Sequence, residues 1–262
     1  SHFSGGAVGW PGAVAGGAGR WPAVRSSGRG GTAAVGGAGG VRLRHRQFVR
    51  GAPREHPGGE GTIFLNGQNI DQLSSLDRSE LLAYVPQNPD LPQGFTVGEL
   101  VMMGRNPYLS LINWGNPEDF VIAEKALLKT GLTDYIDRPL DHLSGGERQS
   151  AFIAMALAQE TQFILLDEPT ANLDLRNQAI LMSLVYELSR ENETIVIMAM
   201  HDLTLAAQWC DKLIMLLNGF VFAEGPPEIV LTAENINLVY DTKVEVQYSS
   251  EGNRPIIFTK QN

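Results

Sequence analysis

Ser144, Gly145, Gly146 and Glu147 have the order of a capped helix start, and Asp167 and Glu168 close a short apolar run just downstream. Ser144 followed by Glu147 has capping-box spacing: the hydroxyl accepts from the third helical amide while Glu147 reaches back to the cap amide. Gly145 and Gly146 then fall in the first turn, where free amides and the positive dipole end favour an anion. Without side chains there, a phosphate can approach the backbone closely. Taken alone, the segment reads equally as an ordinary capped surface helix. Its neighbour tips the balance. Phe163 to Leu166 is wholly apolar, as in a parallel strand buried on both faces. Carboxylates ending such a strand lie where open α/β sheets bind ligands. Asp167 suits a Mg²⁺ ligand, directly or through water, and Glu168 suits a base for an attacking water.

Two more groups belong to the same sheet edge. Thr194 to Met200 reads as the next buried strand, so His201 stands at its C-terminal end. A lone histidine is commonly structural or solvated; one beside Asp167 and Glu168 stands where it can meet the same ligand and water. Ala83 to Val85 is a short strand closed by Pro86, and Gln87 opens a proline-rich loop. Its amide can touch Mg²⁺ and the attacking water, against the plainer alternative of a surface glutamine.

Read in order, Tyr84-Val85-Pro86-Gln87, LSGGERQ (143–149), FILLDEPTANLD (163–174) and the strand ending at His201-Asp202 resemble the ATP-binding subunits of ABC transporters. LSGGERQ resembles the family's signature motif, FILLDEP its Walker B strand with the catalytic glutamate, and Ala171 to Asp174 its D-loop. His201 resembles the switch histidine and Gln87 the Q-loop glutamine. The resemblance covers about residues 61–225. It implies a P-loop NTPase-like (RecA-like) α/β core with an inserted helical subdomain, at about 93–142, and an antiparallel β part. It implies ATP and Mg²⁺ as cofactors, with Asp167 and Gln87 at the metal and Glu168, His201 and Gln87 catalytic. Ser144, Gly145, Gly146 and Gln149 would hold the nucleotide bound to the other copy of a homodimer or to a paired ATPase subunit, with Asp174 in the D-loop. Multi-span permease subunits would be the partners, a substrate-binding protein an indirect one, and the cytoplasmic face of the membrane the location. Gly104-Arg105-Asn106-Pro107-Tyr108-Leu109 further resembles importers of iron-siderophore, haem and cobalamin complexes.

Composition agrees, with one departure. The 262 residues suit one large α/β domain and a smaller appendage, here 226–262. No run approaches the ~18 apolar residues of a membrane span. A single cysteine, Cys210, excludes an internal disulfide framework. The net charge of −9 argues against nucleic acid as the main partner. Residues 1–60, however, hold eight Arg, two Glu, no Lys and 17 of the 29 glycines. Such a segment buries too little apolar surface to offset its ordering entropy and is expected to be disordered. The family's phosphate loop, G-x-x-x-x-G-K-[ST], belongs upstream of residue 61, yet no Gly-Lys pair occurs and the first lysine is Lys125. Gly36-Gly37-Ala38-Gly39-Gly40 with Arg42 reads as low complexity. Residues 1–60 also lack Ile, Asn, Asp, Tyr, Met and Cys, mostly residues of A/T-rich codons, and residues 1 to about 58 are read as the product of a frameshift, a mis-called start or a replaced segment. The alternatives to a transport ATPase are a catalytically impaired interaction subunit and a non-transport ABC ATPase acting on DNA or ribosomes. The 56-residue step from Gln87 to Leu143 leaves no room for a long coiled coil, and the acidic core opposes nucleic acid.

The elements that must position these groups are legible from residue 61 onward. Thr62 to Leu65, Asn66-Gly67 and Gln68 to Ile70 spell a hairpin with a type I′ turn. Asp77 to Leu82 is helix-forming, and 96–142 shows helical periodicity punctuated by prolines. Tyr108 and Trp114 are candidate partner contacts or packing residues. In the signature helix Phe152, Ile153, Ala156 and Leu157 share a face. A helix runs from Asp174 through Arg190, and Leu213–Leu217 with Phe220–Ala223 form a hairpin about Asn218-Gly219. Residues 227–240 read as helical, and Val244–Tyr248 with Ile256–Thr259 as a terminal hairpin of no assigned chemistry.

Overall fold

The computed structural model describes residues 31–38, 64–87, 89, 93–108, 116–191, 194–218, 220–250 and 254–260. Six strands lie side by side: β4 (Leu82–Val85), β5 (Phe163–Asp167), β6 (Ile195–Ala199), β1 (Gly31–Ala38), β7 (Lys212–Leu217) and β8 (Phe220–Gly225). The first five run parallel and β8 returns antiparallel to β7. Alternation along β5 shows why its whole run is apolar. Phe163 and Leu165 point to one core with Leu65, Ile70, Leu82 and Ile195, while Ile164 and Leu166 point to the larger core on the other face. Each of these side chains, fully buried, contributes roughly 1.5–3 kcal/mol.

The small core is capped by the hairpin of β2 (Phe64–Leu65) and β3 (Gln68–Asn69). Its turn residues Asn66 and Gly67 have φ of 49° and 78°, the left-handed pair that a type I′ turn requires. Helix α1 (Ser75–Leu81) starts two residues before the periodicity suggests, because Ser74 caps it through the amide of Asp77. It leads directly into β4.

Helices α2 (Val97–Met103), α3 (Pro117–Lys129) and α4 (Gly145–Ala158) pack together, the first two within the stretch 93–142 expected as the helical subdomain and α4 beyond it. The signature helix α4 is buried nearly all round, not on the single face that Phe152, Ile153, Ala156 and Leu157 suggest: Ala151 and Ala154 are buried too, and Leu157 only partly. It lies between the sheet and α2 and α3, so it needs apolar residues on every side. Gly104 ends α2 against it; a Cβ there would stand 2.2 Å from the Met155 carbonyl oxygen. The next residue, Arg105, is buried and spans the junction. It donates to Asp119 of α3 at 2.9 Å, to the Ala158 carbonyl ending α4 at 2.8 Å and to Glu160 at 2.9 Å.

After β5 come α5 (Leu175–Glu191), β6 and α6 (Leu203–Trp209). The appendage comprises α7 (Pro227–Val230), α8 (Ala233–Tyr240) and the antiparallel pair β9 (Val244–Tyr248) and β10 (Pro255–Thr259). The single helical stretch expected over 227–240 is broken at Leu231-Thr232, where Thr232 caps α8.

The structure corrects one expectation outright. Disorder over residues 1–60 does not extend to Gly31–Ala38, which is a strand paired with both β6 and β7. A parallel ladder is made by backbone amides and carbonyls alone, so a Gly- and Ala-rich stretch can complete it without apolar side chains. Gly36, Gly37 and Ala38 of the low-complexity cluster belong to this strand; Gly39, Gly40 and Arg42, and also Trp114, lie outside the described residues.

Candidate active site

The ladder between β5 and β6 brings the strand ends level: Asp167 pairs with Ala199, and β1 reaches the same level at Val35. Asp167, Glu168 and His201 therefore share one sheet edge, as their spacing predicts. The Glu168 amide still donates to the Ala199 carbonyl at 3.0 Å, but its φ of 44° is left-handed. That conformation, uncommon for a residue with a side chain, costs ~1–3 kcal/mol and turns the chain out of the sheet toward the loop.

Gln87 meets Glu168 across 81 residues of sequence. Its side-chain amide donates to Glu168 Oε2 at 2.6 Å. His201 Nδ1 stands 3.6 Å from the same oxygen, beyond hydrogen-bond range. The imidazole is 68% exposed and the Glu168 carboxylate 33%. An amide and an imidazole thus converge on one oxygen of a partly exposed carboxylate. A water beside that oxygen would have a proton acceptor and two polar groups to orient it.

Asp167 is half-buried at the end of β5, and the Tyr84 hydroxyl donates to its Oδ2 at 3.3 Å. Tyr84 pairs with Leu165, two residues before Asp167, so the two side chains are diagonal neighbours on one face. Burial first, and then the adjacent Asp167 carboxylate, push the Tyr84 hydroxyl far above its ordinary range, so it stays a donor. No local pattern in the sequence points to this contact; only the β4–β5 register does. Among the described residues no cluster of three His, Cys, Asp or Glu is arranged to hold a metal ion. A single carboxylate still fits Mg²⁺, which is commonly held by one or two carboxylates together with substrate phosphates and water.

The signature residues form a second locus. Ser144 caps α4 in the expected box: its amide donates to Glu147 Oε2 at 2.7 Å and its Oγ accepts from the Glu147 amide at 3.4 Å. Hydrogen bonding of the carboxyl with the Ser144 side chain, and then with the Ser144 amide, holds Glu147 below its usual range. Ser144 and Gly145 are exposed, while Gly146 is covered by Asn177, whose side chain would lie 3.0 Å from a Cβ at that position. Asp174 is exposed and caps α5 by accepting from the Asn177 amide at 2.8 Å. Gln149 departs from the expectation for this motif: it is 8% exposed and points inward, with no partner for Nε2 among the described residues. Five residues along a helix turn the side chain well away from the face of Ser144. It cannot share an outward-facing nucleotide surface with Ser144 and Gly145 in this conformation.

The ABC transporter family model matches residues 52–171. The iron(3+)-hydroxamate import ATP-binding protein FhuC of Bacillus subtilis is 40% identical over 199 residues, 76% of this chain and 74% of that protein. The achromobactin transport ATP-binding protein CbrD of Dickeya dadantii is 40% identical over 182 residues, 70% of this chain and 68% of that protein. Among solved structures, a metal-chelate type ABC transporter in an inward-facing conformation superposes with a TM-score of 0.64 at 30% identity. That match covers 69% of this chain and 73% of the other.

Proposed function

The chain belongs to the ABC transporter family of ATP-binding proteins, and on that premise we propose that it is the ATP-binding and ATP-hydrolysing subunit energising an importer of iron-siderophore or related metal complexes. The convergence of Gln87 and His201 on Glu168 Oε2 carries the proposal. Glu168 accepts the proton of the attacking water, and Gln87 and His201 orient it against the γ-phosphate. Asp167, with the Tyr84 hydroxyl donating to it, would hold Mg²⁺ directly or through water. The ion, when bound, neutralises charge on the phosphate oxygens. Ser144 and Gly145 at the exposed start of α4 offer amides to a nucleotide held by a second copy, so the working unit is a dimer. Permease subunits seat the pair at the cytoplasmic face of the membrane. No helix among the described residues is long and apolar enough to cross it.

A second possibility, an interaction subunit of impaired turnover, is supported by one observation: no Gly-Lys pair occurs in the chain. Positioning and charge stabilisation supply most of phosphoryl transfer, so a missing phosphate lysine weighs more than a missing base. Phosphate release from excess Mg-ATP separates the cases. Hydrolysis that disappears in Glu168→Gln supports the ATPase. Hydrolysis indifferent to that change overturns the site, and no hydrolysis in the parent identifies the impaired subunit.

A further inference from the structure

His201 has little of its own to hold it. The imidazole is 68% exposed, and 3.6 Å to Glu168 is too long for a hydrogen bond. Its place is therefore set by its backbone, which is the single link between β6 and α6. Asp202, the next residue, is the N-cap of α6 and accepts from the Leu205 amide at 2.8 Å. Any shift or rotation of α6 moves Asp202, and with it His201. Yet α6 has only seven residues, too few to be stable by itself, so something outside it must fix its position.

The C-terminal hairpin does this at both ends of the helix. Near the start, the Ile257 amide of β10 donates to Thr204 Oγ1 at 3.4 Å. At the end, Arg254 Nη1 donates to the carbonyls of Ala207, at 3.2 Å, and Cys210, at 2.8 Å. Both carbonyls lack helical partners, and a cation there also complements the negative end of the helix. Arg254 is itself held in place. Its amide donates to Ser249 Oγ at 3.1 Å and its carbonyl accepts from the Ser249 amide at 3.0 Å, across the mouth of the hairpin. Trp209 of α6 also meets Tyr186 of α5 edge-on, with ring centroids 6.1 Å apart. The hairpin contacts at both ends form a clamp on the helix.

We propose that Arg254 is a positioning residue for His201, acting through α6, and that the C-terminal hairpin exists in this chain to set that helix. The importance of His201 to turnover rests on the ATPase function proposed above, whereas its placement is measurable without any nucleotide. The experiment follows the imidazole signals of His201 and His142 by NMR in the intact 262-residue chain. His142 lies in the helical subdomain and has no part in the clamp. Arg254→Ala moves the His201 signal and leaves His142 in place, and Arg254→Lys, which keeps the charge but loses the planar fork, moves it less. Thr204→Val, which removes only the acceptor for the Ile257 amide, produces a smaller displacement in His201 alone and serves if Arg254→Ala fails to fold. A His201 signal unmoved in the folded variants overturns the proposal, and so does an equal displacement of His142, which would mean general loosening. Where the parent hydrolyses ATP, Arg254→Ala lowers kcat with KM unchanged. A displaced His201 signal with an unchanged kcat leaves the clamp standing and removes His201 from the reaction.

Discussion

Gln87 donates to Glu168 at 2.6 Å on the oxygen that His201 approaches most closely, so the resting carboxylate is already committed to the loop that follows β4. A carboxylate offers two acceptor sites on each oxygen, so a water can share Oε2 with that amide or approach through Oε1.

Replacing Glu168 with Gln should lower Mg-ATP hydrolysis by ~10²–10⁴-fold, the usual contribution of a positioned general base. Nucleotide affinity should stay unchanged, because the role proposed for the side chain is on the water. A rate within threefold of the parent, measured as phosphate release, would remove Glu168 from that role.

Arg105→Ala should be among the most destabilising single changes in the helical subdomain. Arg105 and Asp119 are 7% and 6% exposed in their side chains, and removing one partner leaves a buried charge uncompensated. Such losses are about 3–5 kcal/mol. Arg105→Lys should recover little, since one ammonium cannot serve Asp119, Ala158 and Glu160 in the same fixed fork. Urea unfolding of the three proteins gives the comparison.

Gly104→Ala tests the close approach of α2 to α4. The added methyl would meet the Met155 carbonyl at 2.2 Å, and a backbone atom cannot swing away. A loss of roughly 1–3 kcal/mol is expected, typical of overpacking. Unchanged stability would mean that the two helices separate readily.

Cys210 is fully buried, and burial pushes its thiol from 9.0 up to about 12. The native protein should therefore resist iodoacetamide at pH 8 and react once unfolded. Linkage sets the sign of the pH effect. Between about 9 and about 12 the unfolded thiol has released a proton that the native one retains, so stability falls as pH rises through that window. The parent should lose its unfolding midpoint more steeply there than Cys210→Ala. Parallel curves would show that the thiol ionises equally in both states.

Mg-ATP should bind the 262-residue chain at least ~10²-fold more weakly than a cassette with an intact phosphate loop. Two or three charge-assisted hydrogen bonds are missing, each worth ~1.5–3 kcal/mol. Isothermal titration that finds micromolar binding at one site per chain would show that residues after β1 rebuild the cradle.

The elements and their chemistry are largely a property of the sequence read locally. The run from Phe163 to Leu166 ending in Asp167-Glu168 and the Ser144/Glu147 box depend only on neighbours in the chain, and so does the Asn66-Gly67 turn. Periods of two and 3.6 record them directly. The tertiary structure decided what lies between elements. The contacts of Gln87 with Glu168 and of Tyr84 with Asp167 follow from strand order and register, to which no residue pattern is tied. Helix packing turned Gln149 inward, although its motif places it with the outward-facing Ser144. Gly31–Ala38 marks the limit most clearly: composition predicts disorder, because side-chain burial is all that composition can measure. Two parallel neighbours instead supply a backbone ladder that asks nothing of the side chains.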